Sequence, residues 1–249
     1  MKRDLLAILG VGALLVFAWA AIVAIGGYPP YILPSPFDVF DRLSDPRVQA
    51  TIADHLWTTL LEVLLGLLVG VLAALVTGFV LARSRAAEKL LSPYIVAAQA
   101  TPILALAPLI VLWFGSGLVS KVLICALICY FPMVVATTVG LRSTDPGLLE
   151  LGRSLRATRR QLLTTIELPS ALPSILGGLK ISTTLAVVGA VVAEWVGGDK
   201  GLGVLINLAR GSLFDIPLMF AALLTIAAIG VVLYLAVVLL ERRLLGARA

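Results

Sequence analysis

Charge is scarce in this chain of 249 residues. Only 13% of them are charged, whereas 60% are hydrophobic and the mean hydropathy is +1.08. A water-soluble domain carries about 25% charge, so too little polar surface is available here to cover a globule. That excludes a disordered chain and argues against a soluble enzyme. Histidine occurs once, as His55, and cysteine twice, as Cys125 and Cys129. The two cysteines lie one helical turn apart in an apolar run, without the polar company of a zinc site or the number needed for a disulfide framework, and read as small packing residues. No phosphate loop of the G-x4-G-K-[ST] type is present; Gly197 to Gly203 is glycine-rich, but Lys200 is followed by Gly201. No zincin helix, serine elbow or iron–sulfur spacing occurs either. These absences predict a non-catalytic chain with no cofactor and no metal.

Long apolar runs are what the sequence has instead. They fall at 5–27, 57–82, 90–115, 119–140, 171–197 and 217–240, each long enough for the roughly 20 residues that a bilayer crossing needs. The first exceeds the h-region of a signal peptide and is read as a retained span. Six crossings place both termini on one side. The segments on that side carry Lys2 and Arg3, then Arg83, Arg85 and Lys89, then six basic residues between Arg142 and Lys180, then Arg242, Arg243 and Arg248: fourteen of the 19 Lys and Arg. Arg42, Arg47, Lys121, Lys200 and Arg210 fall on the other. The positive-inside rule predicts cytoplasmic termini and a cytoplasmic 141–170 loop. The net charge of +5 thus reports membrane orientation, and without aromatic-basic interleaving it does not point to nucleic acid.

Gly66 and Gly70 have the small-xxx-small spacing that lets helix backbones approach in lipid, within the chain or at a dimer seam. Pro93, Pro102 and Pro108 interrupt the third span and Pro132 the fourth, predicting bent helices beside a solute route. Four prolines make Tyr28 to Pro36 an extended stretch, and Pro46 splits the amphipathic 37–55 into short interfacial helices. His55 is read as an interfacial residue.

Between 141 and 173 lies one long polar loop. Asp145 and Pro146 offer a helix cap with proline in the first turn, followed by Leu148, Leu149, Leu151 and Leu155, then arginines from Arg156 to Arg160, then Ile166-Glu-Leu-Pro169. Glu150-Leu-Gly, three residues, Arg156, nine residues and Ile166-x-Leu-Pro169 resemble the EAA loop of bacterial ABC-importer permeases, E-A-A-x3-G-x9-I-x-L-P. Glu150, Ile166, Leu168 and Pro169 match, whereas Leu151, Gly152 and Arg156 depart. Arg156 replaces the glycine that eases the turn between two short helices, so either the turn keeps right-handed angles or it tolerates strain of roughly 1 kcal/mol. Leu33-Pro-Ser-Pro36, Thr58-Thr59, Pro108 to Gly115, Phe131-Pro132 through Arg142, Ala193-Glu-Trp-Val with Gly201-Leu-Gly203, and Leu240 to Leu244 are similar to the nitrate/sulfonate/taurine branch of that family.

The resemblance implies an all-α membrane protein of type I importer permease fold, with six transmembrane helices and a cytoplasmic coupling loop, forming one permease domain over 1–249. It implies a homodimer in the cell inner membrane, cytoplasmic ABC ATPase subunits that hydrolyse ATP, and an external or periplasmic solute-binding protein. The imported solute is an alkanesulfonate, taurine, nitrate, or a pyrimidine or flavin-type vitamin precursor. Glu150, Leu151, Gly152, Leu155, Arg156 and Arg159 are the candidates for ATPase coupling. Gln99, Thr101, Thr137, Thr138, Ser182 and Glu194 are the candidates along the translocation pathway. Glu62 and Glu194 both fall near outer span ends, Glu62 at a position where similar permeases often carry a basic residue. The rival reading, an ion-coupled secondary transporter, predicts buried acidic pairs inside the membrane, and none is evident from the sequence.

Overall fold

The computed structural model describes residues 2–246, and within these the side chains of residues 2–6, 8 and 9 are not described; Arg248 and the side chains of Lys2 and Arg3 therefore lie outside the described residues. Every regular element among them is helical. In order they are α1 (Lys2–Gly26), α2 (Pro36–Ser44), α3 (Pro46–Arg83), α4 (Arg85–Ala100), α5 (Ile103–Phe114), α6 (Leu118–Arg142), α7 (Pro146–Ser154), α8 (Arg159–Gln161), a π-helical turn (Leu162–Glu167), α9 (Leu168–Gly197), α10 (Leu202–Arg210) and α11 (Ile216–Gly246). Four helices are long and apolar enough to cross a membrane: α3, α6, the continuous Arg159–Gly197 and α11. Helices α4 and α5 make a fifth when taken as one span, and Gly10–Gly26 is a shorter apolar helix.

Two differences from the sequence reading have simple causes. Pro46 does split the 37–55 segment, after the short helix α2, but the second piece is not short: a proline in the first helical turn forfeits no hydrogen bond, so Pro46 opens α3, which continues unbroken for 38 residues. Of the four intramembrane prolines only Pro102 breaks a helix. Proline crowds the residue before it out of the helical region, and Thr101 accordingly adopts φ −75°, ψ 125°. The axes of α4 and α5 then meet at 96°. Pro93, Pro108 and Pro132 sit inside continuous helices.

The chain divides into two compact units, 1–58 with 200–227, and 59–199 with 228–249. In the first, Ser35 and Asp38 close a reciprocal capping box on α2. The Trp19 indole donates to the Pro34 carbonyl at 3.0 Å and stacks on Phe220. Arg42 forks onto Asp215, whose other oxygen accepts the Leu218 N–H at the start of α11. Lys200 reaches Asp54 at 2.6 Å, and the His55 ring nitrogen Nδ1 lies 2.7 Å from the Gly201 carbonyl oxygen and 3.1 Å from the Gly201 nitrogen. His55 therefore secures the turn before α10.

The second unit is organised around α6. A Cβ added at Gly66 would lie 2.2 Å from the Cβ of Cys125; one at Gly70 would meet the Ala126 carbonyl at 2.6 Å, and one at Gly78 would meet Thr137 at 2.6 Å. Each α3 residue here faces an α6 residue at nearly the same chain separation, so the two helices run parallel. On the opposite side Gly189 faces Cys125, Gly178 faces Ala136, and Ser174 faces Gly140. Here one number rises as the other falls, so α9 runs antiparallel to α6. The glycine faces thus join helices of one chain, and Cys125 is held between Gly66 and Gly189. Ala107 and Ile110 of α5 pack with Ile124, Val192 and Ala193 into a buried cluster.

Candidate functional site

The 141–170 segment forms a short helix on a stiff base. Asp145 accepts the Gly147 N–H at 2.8 Å and caps α7. At the other end the Arg156 N–H donates to the Arg153 carbonyl at 2.9 Å, and the Ala157 N–H to the Gly152 carbonyl at 2.9 Å. That pair of bonds is the Schellman ending, which puts its C′ residue in the left-handed region and favours glycine there. Arg156 occupies it with φ +57°. Of the two alternatives open in the sequence, the structure has the strained one. Thr158 and Gln161 then form a capping box that starts α8, which runs through the π-helical turn into α9.

At 100° per residue, Leu148, Leu151 and Leu155 share one side of α7, and all three are exposed, Leu155 by 74%. Leu149 is turned away and half-buried. Glu150, Arg156 and Arg159 are exposed, but Gly152 is buried, where an added Cβ would lie 2.6 Å from Leu162 and 3.1 Å from Ile166. Its missing side chain lets α7 lie on the π-helical turn. A hollow of about 370 Å³ beside the turn is lined by Leu155, Arg156, Ala157, Gln161, Thr165 and Ile166.

Charged ties hold this base to the bundle. The buried Glu167 pairs with Arg83 at the end of α3, 3.1 Å from Nη1 to Oε1, and the Arg83 guanidinium also lies 5.2 Å from the centre of the Phe79 ring. Arg142 forks onto Glu88 at 2.5 and 2.7 Å and donates to the Leu81 carbonyl. The first of these contacts joins the base of the segment to α3, and the second joins the end of α6 to α3 and α4.

At the opposite end of α6 lies a polar set that the sequence reading missed. Glu62 is 1% exposed and Lys121 5%, with Nζ 2.7 Å from Oε1. Glu194 is equally buried, faces Glu62, and accepts the Thr59 hydroxyl at 2.6 Å. Glu62 Oε2 has no hydrogen-bond partner among the described residues. Both glutamates are buried between helices, so a buried acidic pair does exist, with Lys121 beside it. In the sequence Lys121 counts only as one of the five basic residues on the outer side. The available signal was spacing: Glu62, Gly66 and Gly70 follow one stripe of α3, and Lys121, Cys125 and Cys129 follow one stripe of α6.

The pathway candidates are not brought together. Gln99 is exposed and Thr101 lies at the α4–α5 break. The hydroxyls of Thr101, Thr137 and Thr138 donate back to the carbonyls of Ala97, Met133 and Val134. Ser182 donates to the Cys129 carbonyl at 3.0 Å, and Glu194 belongs to the buried set. Among the described residues no cluster of His, Cys, Asp and Glu is arranged to hold a metal ion.

The described helices thus define a helical membrane protein with a parallel α3–α6 pair, an antiparallel α9 and a capped helix that exposes leucines. Residues 66–246 match the family described as binding-protein-dependent transport system inner membrane component, and the chain belongs to that family. It is 47% identical over 231 residues to the riboflavin transport system permease protein RibX of Chloroflexus aurantiacus, covering 93% of this chain and 85% of that one. It is 37% identical to the formylaminopyrimidine transport permease protein ThiX of Halalkalibacterium halodurans (87% and 86% covered) and 31% identical to the taurine transport system permease protein TauC of Escherichia coli (98% and 90% covered). Among solved structures it is similar to a chain of the MetNI methionine ABC transporter in an inward-facing conformation, with a TM-score of 0.71 at 18% identity, covering 80% of this chain and 99% of that one. The chain is thus the transmembrane permease component of an ABC transporter.

Proposed function

We propose that the chain acts as one permease domain of six crossings, and that a second copy completes the translocation pathway. The parallel run of α3 and α6 supports this count, since the chain between them must return once and the broken pair α4–α5 supplies the return. With α1 as the first crossing and α11 as the last, the clustering of arginines about α7 puts both termini and the coupling loop in the cytoplasm.

The observation that carries the coupling role is the exposed Leu148–Leu151–Leu155 face on a helix fixed at both ends. An apolar face kept in water by a rigid mount marks a protein contact, and here it docks on a cytoplasmic ABC ATPase. Glu150, Arg156 and Arg159 border the contact, and Gly152 sets its height by letting α7 sit down on Leu162. ATP-driven movement of the ATPase passes through α7 to the Arg83–Glu167 and Arg142–Glu88 ties. The permease itself performs no chemistry; an external binding protein delivers the solute.

The solute is a heteroaromatic vitamin or vitamin precursor of the kind that the names of the riboflavin and formylaminopyrimidine permeases indicate. Identity falls from 47% and 37% for these to 33% and 31% for an aliphatic sulfonate permease and the taurine permease. Co-purification with the ATPase tests the coupling role. The double variant Leu151→Asp/Leu155→Asp should lose the ATPase while remaining folded, and unchanged binding would overturn the assignment.

A further inference from the structure

Beyond the coupling role, we infer that the arginine-rich end of the second unit holds an anionic phospholipid, its phosphate among the arginines and an acyl chain in an adjoining apolar cleft. A cavity of about 830 Å³ is lined by Phe79, Arg83, Arg153, Arg159, Arg160 and Glu167. Glu167 is already engaged by Arg83. Arg153, Arg159 and Arg160 are exposed, and none makes an ion pair among the described residues. Three arginines without an ion-pair partner among the described residues therefore line one hollow, and guanidinium is the side chain best matched to a phosphate, through paired N–H donors.

Next to it lies a second cavity of about 400 Å³ lined by residues including Leu75, Val76, Phe79, Thr137, Leu163 and Ile175. The two hollows share Phe79 and Leu163. The hydroxyl of Thr137 is spent on the Met133 carbonyl at 2.7 Å, so this cleft offers a ligand nothing but apolar surface. Along α3 the lining changes from Leu75 to Arg83 over about 12 Å of helix rise. Two adjoining hollows are thus greasy on one side and cationic on the other. A free phosphate would leave the cleft empty, and an acidic peptide would have to enter a hole on a membrane-crossing helix. A phospholipid fills both halves and is already present in the surrounding bilayer, and basic pockets between transmembrane helices bind anionic headgroups.

This site meets the proposed ATPase contact only at its border, at Arg159. Arg153 lies about 140° around α7 from Leu148, away from the leucine face. Only the leaflet, the cytoplasmic one, rests on the proposed orientation.

Native mass spectrometry of the full chain in detergent tests the site, with phosphatidylglycerol or phosphatidylcholine of identical acyl chains added. Phosphatidylglycerol should be retained at least tenfold better. Arg153→Gln/Arg160→Gln should abolish that preference, Arg153→Lys/Arg160→Lys should restore part of it, and Val76→Trp, which fills the cleft from an exposed position, should lower retention of both lipids. Each variant is first shown to be monodisperse with an unchanged melting temperature. Equal retention of the two lipids overturns the proposal. Full displacement of phosphatidylglycerol by millimolar inorganic phosphate, with Val76→Trp without effect, overturns it in favour of a plain anion site. Loss of ATPase binding by the glutamine variant, with lipid retention unchanged, overturns it in favour of a protein contact.

Discussion

Replacing Lys121 with methionine removes the cation that faces Glu62 in a region where neither side chain reaches solvent. The stripe from Glu62 to Gly66 and Gly70 is pressed against α6 with Cβ-free contact, so Glu62 cannot swing out to water without prising α3 and α6 apart. Glu194, held by Thr59, stays opposite. Breaking one side of a buried pair costs about 3–5 kcal/mol, whereas replacing both partners with apolar groups is often neutral or stabilising. For a chain of this size 1 kcal/mol moves Tm by about 2–4 °C, so Lys121→Met should lower Tm by roughly 6–20 °C. Glu62→Leu/Lys121→Met should recover most of that loss. The assay is thermal unfolding of the purified permease in one fixed detergent, followed by tryptophan fluorescence. A single variant within about 2 °C of the parent, or a double variant no better than the single, would refute the reasoning, since the pair would then be neither desolvated nor mutually dependent.

Three further outcomes follow from the same geometry. Arg156→Gly should stabilise the chain by about 1 kcal/mol, because it relieves a left-handed backbone at a side chain that is exposed; a differential melt against the parent reads it, and a fall in Tm counts against the Schellman turn. Gly66→Ala places a Cβ 2.2 Å from that of Cys125 and should destabilise by about 1–3 kcal/mol, whereas Gly10→Ala, which meets nothing within 4 Å, should leave unfolding unchanged or raise Tm slightly. Glu167→Gln weakens the tie to Arg83 and should reduce transport-coupled ATP hydrolysis more than ATPase binding; equal loss of both would place Glu167 in the docking contact itself.

What the sequence made legible was local. Asp145 and Pro146 announce α7 by cap chemistry, and the structure starts the helix there. Thr101 before Pro102 marks a break because the steric conflict lies between neighbours in the chain. The glycine stripes were visible as spacing, and their placement against α6 shows within-chain packing. Pairings across helices were not legible. Glu62 and Lys121 read as two separate charges at span ends until the parallel register of α3 and α6 sets them opposite each other. Pro93, Pro108 and Pro132 carry the same local signal as Pro102, yet their helices stay continuous. The backbone angle at Arg156 was open for a related reason: local preference argues for glycine, and only the surrounding hydrogen bonds, from Arg156 to Arg153 and from Ala157 to Gly152, hold an arginine there.

Solute uptake by proteoliposomes tests the central claim most directly, that α7 transmits work from a separate ATPase. Vesicles holding this chain, its ATPase and its binding protein should concentrate solute only with ATP inside the compartment that the ATPase faces, and Leu151→Asp/Leu155→Asp should reduce that uptake at least tenfold. Uphill accumulation by this chain alone, driven by an ion gradient and without nucleotide, would contradict the account.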